Sequence, residues 1–287
     1  MTFAYNVFTI PRIHNTNYSQ NHQKGTQMSE KKCSYTVSDG VAIMEVNNPP
    51  VNALAAAVLA DIENAVNEAL KDDAVRVIIF TGAGDKSFIA GADIKEFTGL
   101  TDAKTAADFL SYGQGITTLI ADAEKPFIAA INGFCLGGGM EFALACHIRL
   151  ADENAQIGLP EIKLGLIPGY GGTQRTTRLI GKGRTMELIL SGNFLNGTQA
   201  AEYGIVNRVV PAGEVLNEAK KLAKTIAQKS RVNITAAIKA INQGIELGFD
   251  EAMNLERDLF GGLFETEDQK EGVAAFIEKR KPVFKDR

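Results

Sequence analysis

The chain has 287 residues, of which 45% are apolar and 22% charged, as in an ordinary folded globular protein. Its formal net charge of −4 gives no electrostatic basis for a nucleic-acid-binding surface, and no apolar run approaches the roughly 20 residues of a membrane span. Three cysteines and three histidines without ligand spacing predict no metal site and fit a reducing compartment, which we expect to be the cytoplasm.

Residues 1–29 contain no acidic residue and no apolar periodicity, and they lack the apolar segment of a secretory signal. We therefore expect a disordered N-terminal extension in residues 1–29. The segment Met28 to Lys31 is typical of a natural start, so the residues before it are interpreted as a translated leader.

The regular part of the chain begins near Ser34. Residues 35–38 and 41–46 have strand character, and the Asp39-Gly40 pair between them predicts a hairpin turn. A helix with one apolar face is predicted from about Asn52 to Lys71, and a strand buried on both faces from Val75 to Thr81.

The centre of the chain alternates helix and strand again. A helix is predicted from about Ala103 to Ala121 and a strand from Phe127 to Ile131, followed by a loop whose three glycines open an apolar helix ending near Cys146. Successive ββα and βα units predict an α/β fold with largely parallel sheets, in a catalytic core spanning residues 30–211.

Helical patterns dominate the rest of the chain after a short predicted strand from Val206 to Val210. Four consecutive amphipathic helices predict a C-terminal helical subdomain over residues 212–287. The last of these helices opens on a capping box, from Thr266 to Gln269.

Two glutamates are the candidates for chemistry. Glu141 lies one turn into the apolar glycine-rich helix, where it either complements the helix dipole or serves as a buried functional carboxylate. Glu161 follows Leu159-Pro160 at the end of a short apolar run. Two carboxylates beside donor-rich backbone favour proton transfer next to a carbonyl group.

Other classes of active site are excluded by the sequence. It contains neither a phosphate-binding Gly-x-x-x-x-Gly-Lys-Ser/Thr loop nor a Gly-x-Ser-x-Gly nucleophile elbow. A nucleophile–base pair of His147 with Cys135 or Cys146 is disfavoured, because Cys146 and His147 are neighbours entering a strand and should point to opposite faces.

Four motifs together resemble the crotonase (enoyl-CoA hydratase/isomerase) superfamily, and the resemblance extends from about Tyr35 to Arg287. It implies a spiral of ββα units with a C-terminal helical region that forms trimers, usually paired into hexamers. The motifs are Phe88 to Lys95, Ile131 to Glu141, Gly158 to Glu161, and Pro168 to Arg175.

The resemblance also implies roles for particular residues. The backbone N–H groups of Ala92 and Gly138 form an oxyanion hole, and Glu141 and Glu161 are the hydratase carboxylates. The positions that match the family's contacts with coenzyme A, or its backbone near the catalytic water, are Lys86, Ala90, Asp93, Ile94, Gly169, Phe276 and Lys279.

Two positions depart from the family's usual pattern. Leu159 stands where mitochondrial short-chain hydratases often have Gln, which leaves the chain-length preference open. His147 stands where Asp is common, with no consequence that the sequence reveals.

The activity implied by the resemblance is that of an enoyl-CoA hydratase, a lyase of fatty-acid β-oxidation that converts 2-enoyl-CoA to 3-hydroxyacyl-CoA. No cofactor is expected, since coenzyme A is part of the substrate, and neither nucleic acid nor membrane is expected as a partner. The alternatives are an enoyl-CoA isomerase, which needs only one carboxylate, and a non-catalytic or RNA-binding member of the family.

Overall fold

A computed structural model describes residues 31–287, so the extension predicted for residues 1–29 lies outside the described residues. The described strands are β1 (Cys33–Ser38), β2 (Val41–Val46), β3 (Val77–Gly82), β4 (Ser87–Ile89), β5 (Phe127–Ile131), β6 (Phe134–Leu136), β7 (Ile148–Asp152), β8 (Gln156–Gly158), β9 (Leu195–Asn196) and β10 (Arg208–Val210).

Ten α-helices follow or separate these strands in the described part of the chain. They are α1 (Ala56–Lys71), α2 (Ala103–Ala121), α3 (Gly138–Ala145), α4 (Gly172–Ile180), α5 (Lys182–Ser191), α6 (Gly197–Tyr203), α7 (Val215–Ala227), α8 (Arg231–Gly244), α9 (Phe249–Leu263) and α10 (Glu267–Ile277), together with 3-10 helices at Ile94–Gly99 and Glu161–Leu164. No helix among residues 31–287 is both long and apolar enough to cross a membrane.

The strands form two sheets that the chain visits alternately. The larger sheet has the order β1-β2-β3-β5-β7-β10 and the smaller has the order β4-β6-β8-β9. Three successive turns place one strand in the larger sheet and the next in the smaller, as β3 and β4, β5 and β6, and β7 and β8. The expected α/β spiral of ββα units is confirmed.

Most predicted elements are found at or near their predicted bounds. The hairpin joins β1 and β2 in antiparallel register, and Asp39 and Gly40 both have positive φ, 54° and 78°, as a tight hairpin turn requires. The side chain of Thr266 accepts a hydrogen bond from the N–H of Gln269 at 3.1 Å, which caps α10. The predicted capping box is only half formed, because the N–H of Thr266 donates to the carbonyl of Leu263.

Two predicted boundaries were wrong. Helix α1 begins at Ala56 instead of near Asn52, because Asn52 is left-handed (φ 55°) and Leu54 instead exchanges backbone hydrogen bonds with Gly91 and Asp93. Strand β10 begins at Arg208, because the N–H groups of Ile205 and Val206 bond back to the carbonyl of Ala200 and close helix α6.

The core is divided by the larger sheet. Side chains on one face of the sheet, including those of β3 and β5 that point to that side, pack against α1, α2 and α3. The centre of this cluster is a group of aromatic rings, in which Phe80 contacts Phe88 and Phe142. The other face is covered by α7, whose Ala219 and Ala223 are fully buried. Thus α7 is part of the body that carries the sheet, while the subdomain boundary near residue 212 stays a prediction.

The segment after α10 is bound to the body by two buried or half-buried carboxylates. Asp268, 1% exposed, accepts the N–H groups of Lys285 and Asp286 at 2.6 and 2.9 Å. Asp286 in turn binds the guanidinium of Arg76 and the N–H of Arg231. Arg76 also donates to the carbonyls of Ala227 and Lys229, so one side chain joins β3, α7 and the C-terminal segment.

We therefore predict that Asp268→Ala destabilises the fold. The substitution leaves two backbone N–H groups without an acceptor, which should lower the free energy of unfolding by about 2 kcal/mol. Chemical denaturation measures the change. Glu267→Ala is the matched control, because the ion pairs of Glu267 with Lys285 and Arg287 are exposed and should contribute little. Equal losses in both variants would contradict the prediction.

Candidate active site

Three adjacent parallel strands of the smaller sheet end at the candidate site. Strand β4 leads to Ala92, β6 to Gly138 and Glu141, and β8 to Glu161. The pairs β4–β6 and β6–β8 are both parallel, so their carboxyl ends lie at the same edge of the sheet. The spiral thereby brings together residues that are up to 70 positions apart in the sequence.

Glu141 is a buried carboxylate on helix α3, with an exposed fraction of only 2%. Its Oε1 accepts two short hydrogen bonds, of 2.7 Å each, from the backbone N–H groups of Tyr170 and Gly172. Glu141 lies in the first turn of α3, where it complements the helix dipole, and its buried backbone donors are specific contacts in addition to that. A buried carboxylate with specific donors fits the functional alternative.

Glu161 opens the 3-10 helix that follows β8 and Pro160. Its Oε1 lies 3.1 Å from where a Cβ would stand on Gly137, so the carboxylate faces the glycine-rich loop directly. Its Oε2 is buried and has no hydrogen-bond partner among the described residues. An unsatisfied buried carboxylate oxygen is costly and marks a position suited to a reactant or a water molecule.

The two carboxylates titrate differently because their surroundings differ. Burial, followed by the negative charge of Glu141, raises the pKa of Glu161 to about 7. Burial also raises the pKa of Glu141, but the N–H groups of Gly172 and Tyr170 and the charge of Arg175 oppose that rise. The N–H donors and the positive charge stabilise the negative form of Glu141, and two carboxylates this close are expected to share one proton, with apparent pKa values that belong to the pair.

The N–H groups of Ala92 and Gly138 lie on two backbone segments that run side by side. Leu54 links the segments, since its backbone bridges Ala92 and its Cδ1 lies 3.0 Å from where a Cβ would stand on Gly138. Neither N–H donates a hydrogen bond within residues 31–287. Gly91 and Gly137 have φ values of 110° and 51°, which turn the backbone at both places.

The residues matched to coenzyme A fall into two groups. Lys86, Ala90, Asp93 and Ile94 flank strand β4 beside Ala92, and Asp93 caps the following 3-10 helix by accepting the N–H of Lys95 at 3.0 Å. Phe276 and Lys279 lie at the end of α10, where the side chain of Phe276 is 86% exposed. The carbonyl of Gly169 accepts a 2.7 Å hydrogen bond from Gln114 Nε2.

The structure explains His147 and the two cysteines nearest to it. The Nδ1 atom of His147 accepts the N–H of Phe127 at 3.0 Å, and burial lowers the pKa of His147 to about 4. Burial also raises the pKa of the Cys135 and Cys146 thiols, that of Cys146 to about 12. These thiols and this imidazole are not prepared for nucleophilic catalysis. Leu159, the other departure from the family pattern, is fully buried.

Tyr170 and Gly172, whose N–H groups hold Glu141, were missed as site residues by the sequence analysis. The motif from Pro168 to Arg175 supplied the signal, because its repeated glycines allow backbone to approach a side chain closely. A Cβ on Gly172 would stand 2.9 Å from Glu141 Oε1, so glycine is required there.

Comparisons with known proteins converge on one family. The sequence model of the family described as enoyl-CoA hydratase/isomerase matches residues 36–287. A crotonyl-CoA hydratase of Syntrophomonas wolfei is 45% identical over 245 residues, which are 85% of this chain and 94% of the relative. A short-chain-enoyl-CoA hydratase of Clostridium acetobutylicum is 42% identical over 242 residues, 84% of this chain and 92% of the relative.

The solved structures give the same result. The crystal structure of an enoyl-CoA hydratase from Bacillus anthracis superposes with a TM-score of 0.85 at 37% identity, and the alignment covers 89% of this chain and all of the other.

We predict that Glu141→Gln lowers the pKa of Glu161. The substitution removes the negative neighbour but not the burial, which is the larger cause, so the pKa should fall from about 7 and stay above the ordinary value of 4.5. Carboxyl ¹³C NMR titration measures the shift. Glu187→Gln, which removes an exposed acid on α5, is the control. An unchanged pKa in Glu141→Gln would show that the two carboxylates do not interact.

Proposed function

The chain belongs to the enoyl-CoA hydratase/isomerase family, and we propose that it works as an enoyl-CoA hydratase, a hydro-lyase that adds water across the Cα–Cβ double bond of a 2-enoyl-CoA thioester. The observation that carries the proposed mechanism is the pair of buried glutamates, one held by two backbone donors and the other with an unsatisfied oxygen. The product is the 3-hydroxyacyl-CoA, and the reaction is reversible.

The two glutamates divide the proton transfers between them. Glu141 accepts a proton from water as the water oxygen bonds to Cβ, and the electron pair of the double bond moves toward the thioester oxygen. Glu161 then donates its proton to Cα as the thioester carbonyl is restored. The raised pKa of Glu161 supports its role as acid, and the N–H donors and positive charge around Glu141 support its role as base.

The N–H groups of Ala92 and Gly138 receive the negative charge that develops on the thioester oxygen. Backbone donors fixed by the fold need no reorganisation when the charge appears, and one such donor typically lowers the activation barrier by about 3–4 kcal/mol. Their freedom from acceptors in the described chain supports this assignment. The reaction consists of the addition of water to Cβ and two proton transfers, with electrostatic stabilisation of the developing charge, so we expect no bound cofactor.

The substrate's coenzyme A part is assigned to the surface around β4 and to the end of α10. Lys86 and Lys279 are exposed cations suited to phosphate, and the exposed ring of Phe276 is suited to an apolar or adenine surface. Ala90, Asp93 and Ile94 are assigned to the same part of the substrate because they adjoin Ala92 in the chain, and Gly169 is assigned to the neighbourhood of the attacking water.

We further propose a trimer or a hexamer that acts in fatty-acid β-oxidation in the cytoplasm. Helices α8 to α10 expose more large apolar side chains than a monomer ordinarily leaves in water, which supports an oligomer. Light scattering against the chain mass of 30.8 kDa tests the assembly. The most exposed of these residues are Ile241, Ile245, Phe249, Phe260, Phe276 and Ile277.

The proposed division of labour predicts that Glu141→Gln and Glu161→Gln each lose at least about 10²-fold in kcat for hydration of a 2-enoyl-CoA. Glutamine keeps the size of glutamate but cannot exchange the proton. The double variant should lose far less than the product of the single losses, because the two residues act as one unit. Steady-state assays over a series of acyl chain lengths measure these effects and define the substrate range.

An isomerase would give a different pattern in the same assays. It would tolerate the loss of one glutamate and would convert a 3-enoyl-CoA faster than it hydrates a 2-enoyl-CoA. That result would overturn the proposed reaction and leave the family assignment unchanged.

A second prediction concerns the oxyanion hole. A Cβ on Gly138 would stand 3.0 Å from Leu54 Cδ1 and 3.4 Å from the ring of Tyr170, so Gly138→Val should displace the N–H from its position. We expect about a 10²-fold loss in kcat with a near-native circular dichroism spectrum. Gly183→Val is the control, because a Cβ on Gly183 in α5 meets nothing within 4 Å. Wild-type turnover in Gly138→Val would refute the assignment.

A further inference from the structure

Three consecutive peptide units form the loop that holds Glu141, and the first and third of them carry its two N–H donors. The first unit consists of the carbonyl of Gly169 and the N–H of Tyr170. Its carbonyl accepts a 2.7 Å hydrogen bond from Gln114 Nε2, while its N–H donates to Glu141 Oε1. Since a peptide that accepts at its carbonyl becomes a better donor at its N–H, Gln114 strengthens the bond to Glu141.

The second unit consists of the carbonyl of Tyr170 and the N–H of Gly171. Its carbonyl accepts hydrogen bonds from Arg175 Nη1 at 2.9 Å and from Thr117 Oγ1 at 3.1 Å. The next N–H along the chain is that of Gly172, the other donor to Glu141. Holding the middle peptide helps to orient the third one, whose Gly171 carbonyl also accepts the N–H groups of Gln174 and Arg175 in the first turn of α4.

The three supporting residues come from two helices. Gln114 and Thr117 lie three positions apart on α2 and so share one face of that helix, while Arg175 comes from α4. Arg175 Nη1 also donates to Thr117 Oγ1 at 3.2 Å, and it would lie 2.5 Å from a Cβ on Gly171. The guanidinium thus lies directly against the backbone of the loop.

A purely structural role does not account for the charge of Arg175. Thr117 already gives the Tyr170 carbonyl a neutral donor, and removing a guanidinium from water costs free energy that a neutral donor would avoid. Burial indeed lowers the pKa of Arg175, against the charges of Glu141 and Asp122. What a cation adds here is an attraction for the negative form of Glu141.

We propose that Gln114, Thr117 and Arg175 are positioning residues for the hydration reaction, which aim two backbone N–H groups at one oxygen of Glu141 and hold that carboxylate in its ionised, proton-accepting state. This inference rests on the proposed hydratase function, in which Glu141 is the base.

The inference has a consequence for the pH dependence of turnover. The charged and titratable groups that face Glu141 are Glu161 from the 3-10 helix, Tyr170 from the loop and Arg175 from α4. Among them only Arg175 lowers the pKa of Glu141. Removing the charge of Arg175 should raise the pKa of Glu141. Because Glu141 must be ionised to act as the base, the acidic limb of the profile of kcat against pH should then move to higher pH.

The test compares Arg175→Met with Arg178→Met. Both remove one guanidinium from α4, but Arg178 is exposed and pairs with Glu246 at 3.2 Å, away from the loop. For Arg175→Met we expect kcat to fall at least about tenfold with little change in KM, and the acidic limb to rise by about one pH unit. Arg178→Met should match the wild type in kcat, in KM and in the position of the acidic limb. Arg175→Lys keeps the positive charge, so its acidic limb should lie close to that of the wild type.

A second variant keeps the test decisive if Arg175→Met does not fold. Gln114 is exposed, so Gln114→Met should fold, and the loss of one donor to the Gly169 carbonyl should lower kcat about threefold to tenfold. The inference would be overturned if Arg175→Met kept the wild-type kcat and the wild-type acidic limb of the pH–rate profile. If Arg175→Met does not fold, an unchanged kcat in Gln114→Met would overturn it. So would an equal shift in Arg178→Met.

A substrate-free measurement separates this inference from the proposed function. Carboxyl ¹³C NMR follows the titration of Glu141 directly, and Arg175→Met should raise its pKa whether or not the enzyme hydrates enoyl-CoA. A wild-type protein without hydratase activity would refute the proposed function. An unchanged Glu141 titration in Arg175→Met would refute only the positioning role.

Discussion

The burial of one carboxylate governs the architecture of this site. Glu141 is almost fully removed from water, and it is tolerated there because two peptide N–H groups converge on one of its oxygens at 2.7 Å. That convergence requires a tight loop from Gly169 to Gly172 with glycine at the closest approach to the carboxylate, a helix placed so that Glu141 reaches it, and support from α2 and α4. Each of these features has a cost in conformational freedom, and each is explained by the charge that it serves.

The two-sheet spiral explains why the remaining groups are in the same place. Each turn of the chain leaves the larger sheet, adds one short parallel strand to the smaller sheet and then continues into a functional segment. Because β4, β6 and β8 are neighbours, the backbone donors and both carboxylates meet at one edge although they come from three separate turns. The short strands also supply core side chains, among them Phe88, Ile89 and Ile157, and their position in the sheet aligns the site.

Local sequence signals predicted the elements well and the site contacts less well. The Asp39-Gly40 turn, the helix from Ala103 to Ala121 and the strand from Phe127 to Ile131 depend on turn chemistry and periodicity, which the sequence displays. The spiral came from family resemblance, because periodicity does not reveal which strand ends meet. Glu141 and Glu161 were candidates from their apolar, glycine-rich surroundings, and the resemblance supplied their roles. The bridge between Leu54 and Ala92 depends on a long-range contact, for which no local pattern exists. The glycine-rich motif from Pro168 to Arg175 indicates a close backbone approach, but not that Glu141 is the acceptor.

The contact between Arg76 and Asp286 has a consequence for biosynthesis. These residues are 210 positions apart, and Arg76 lies beside β3 at the centre of the larger sheet. During translation the central strands leave the ribosome long before Asp286 is made, so the Arg76 guanidinium stays hydrated until Asp286 is available. The nascent chain therefore completes the carboxylate contact of Arg76 only after Asp286 has left the ribosome, later than the contacts with the carbonyls of Ala227 and Lys229.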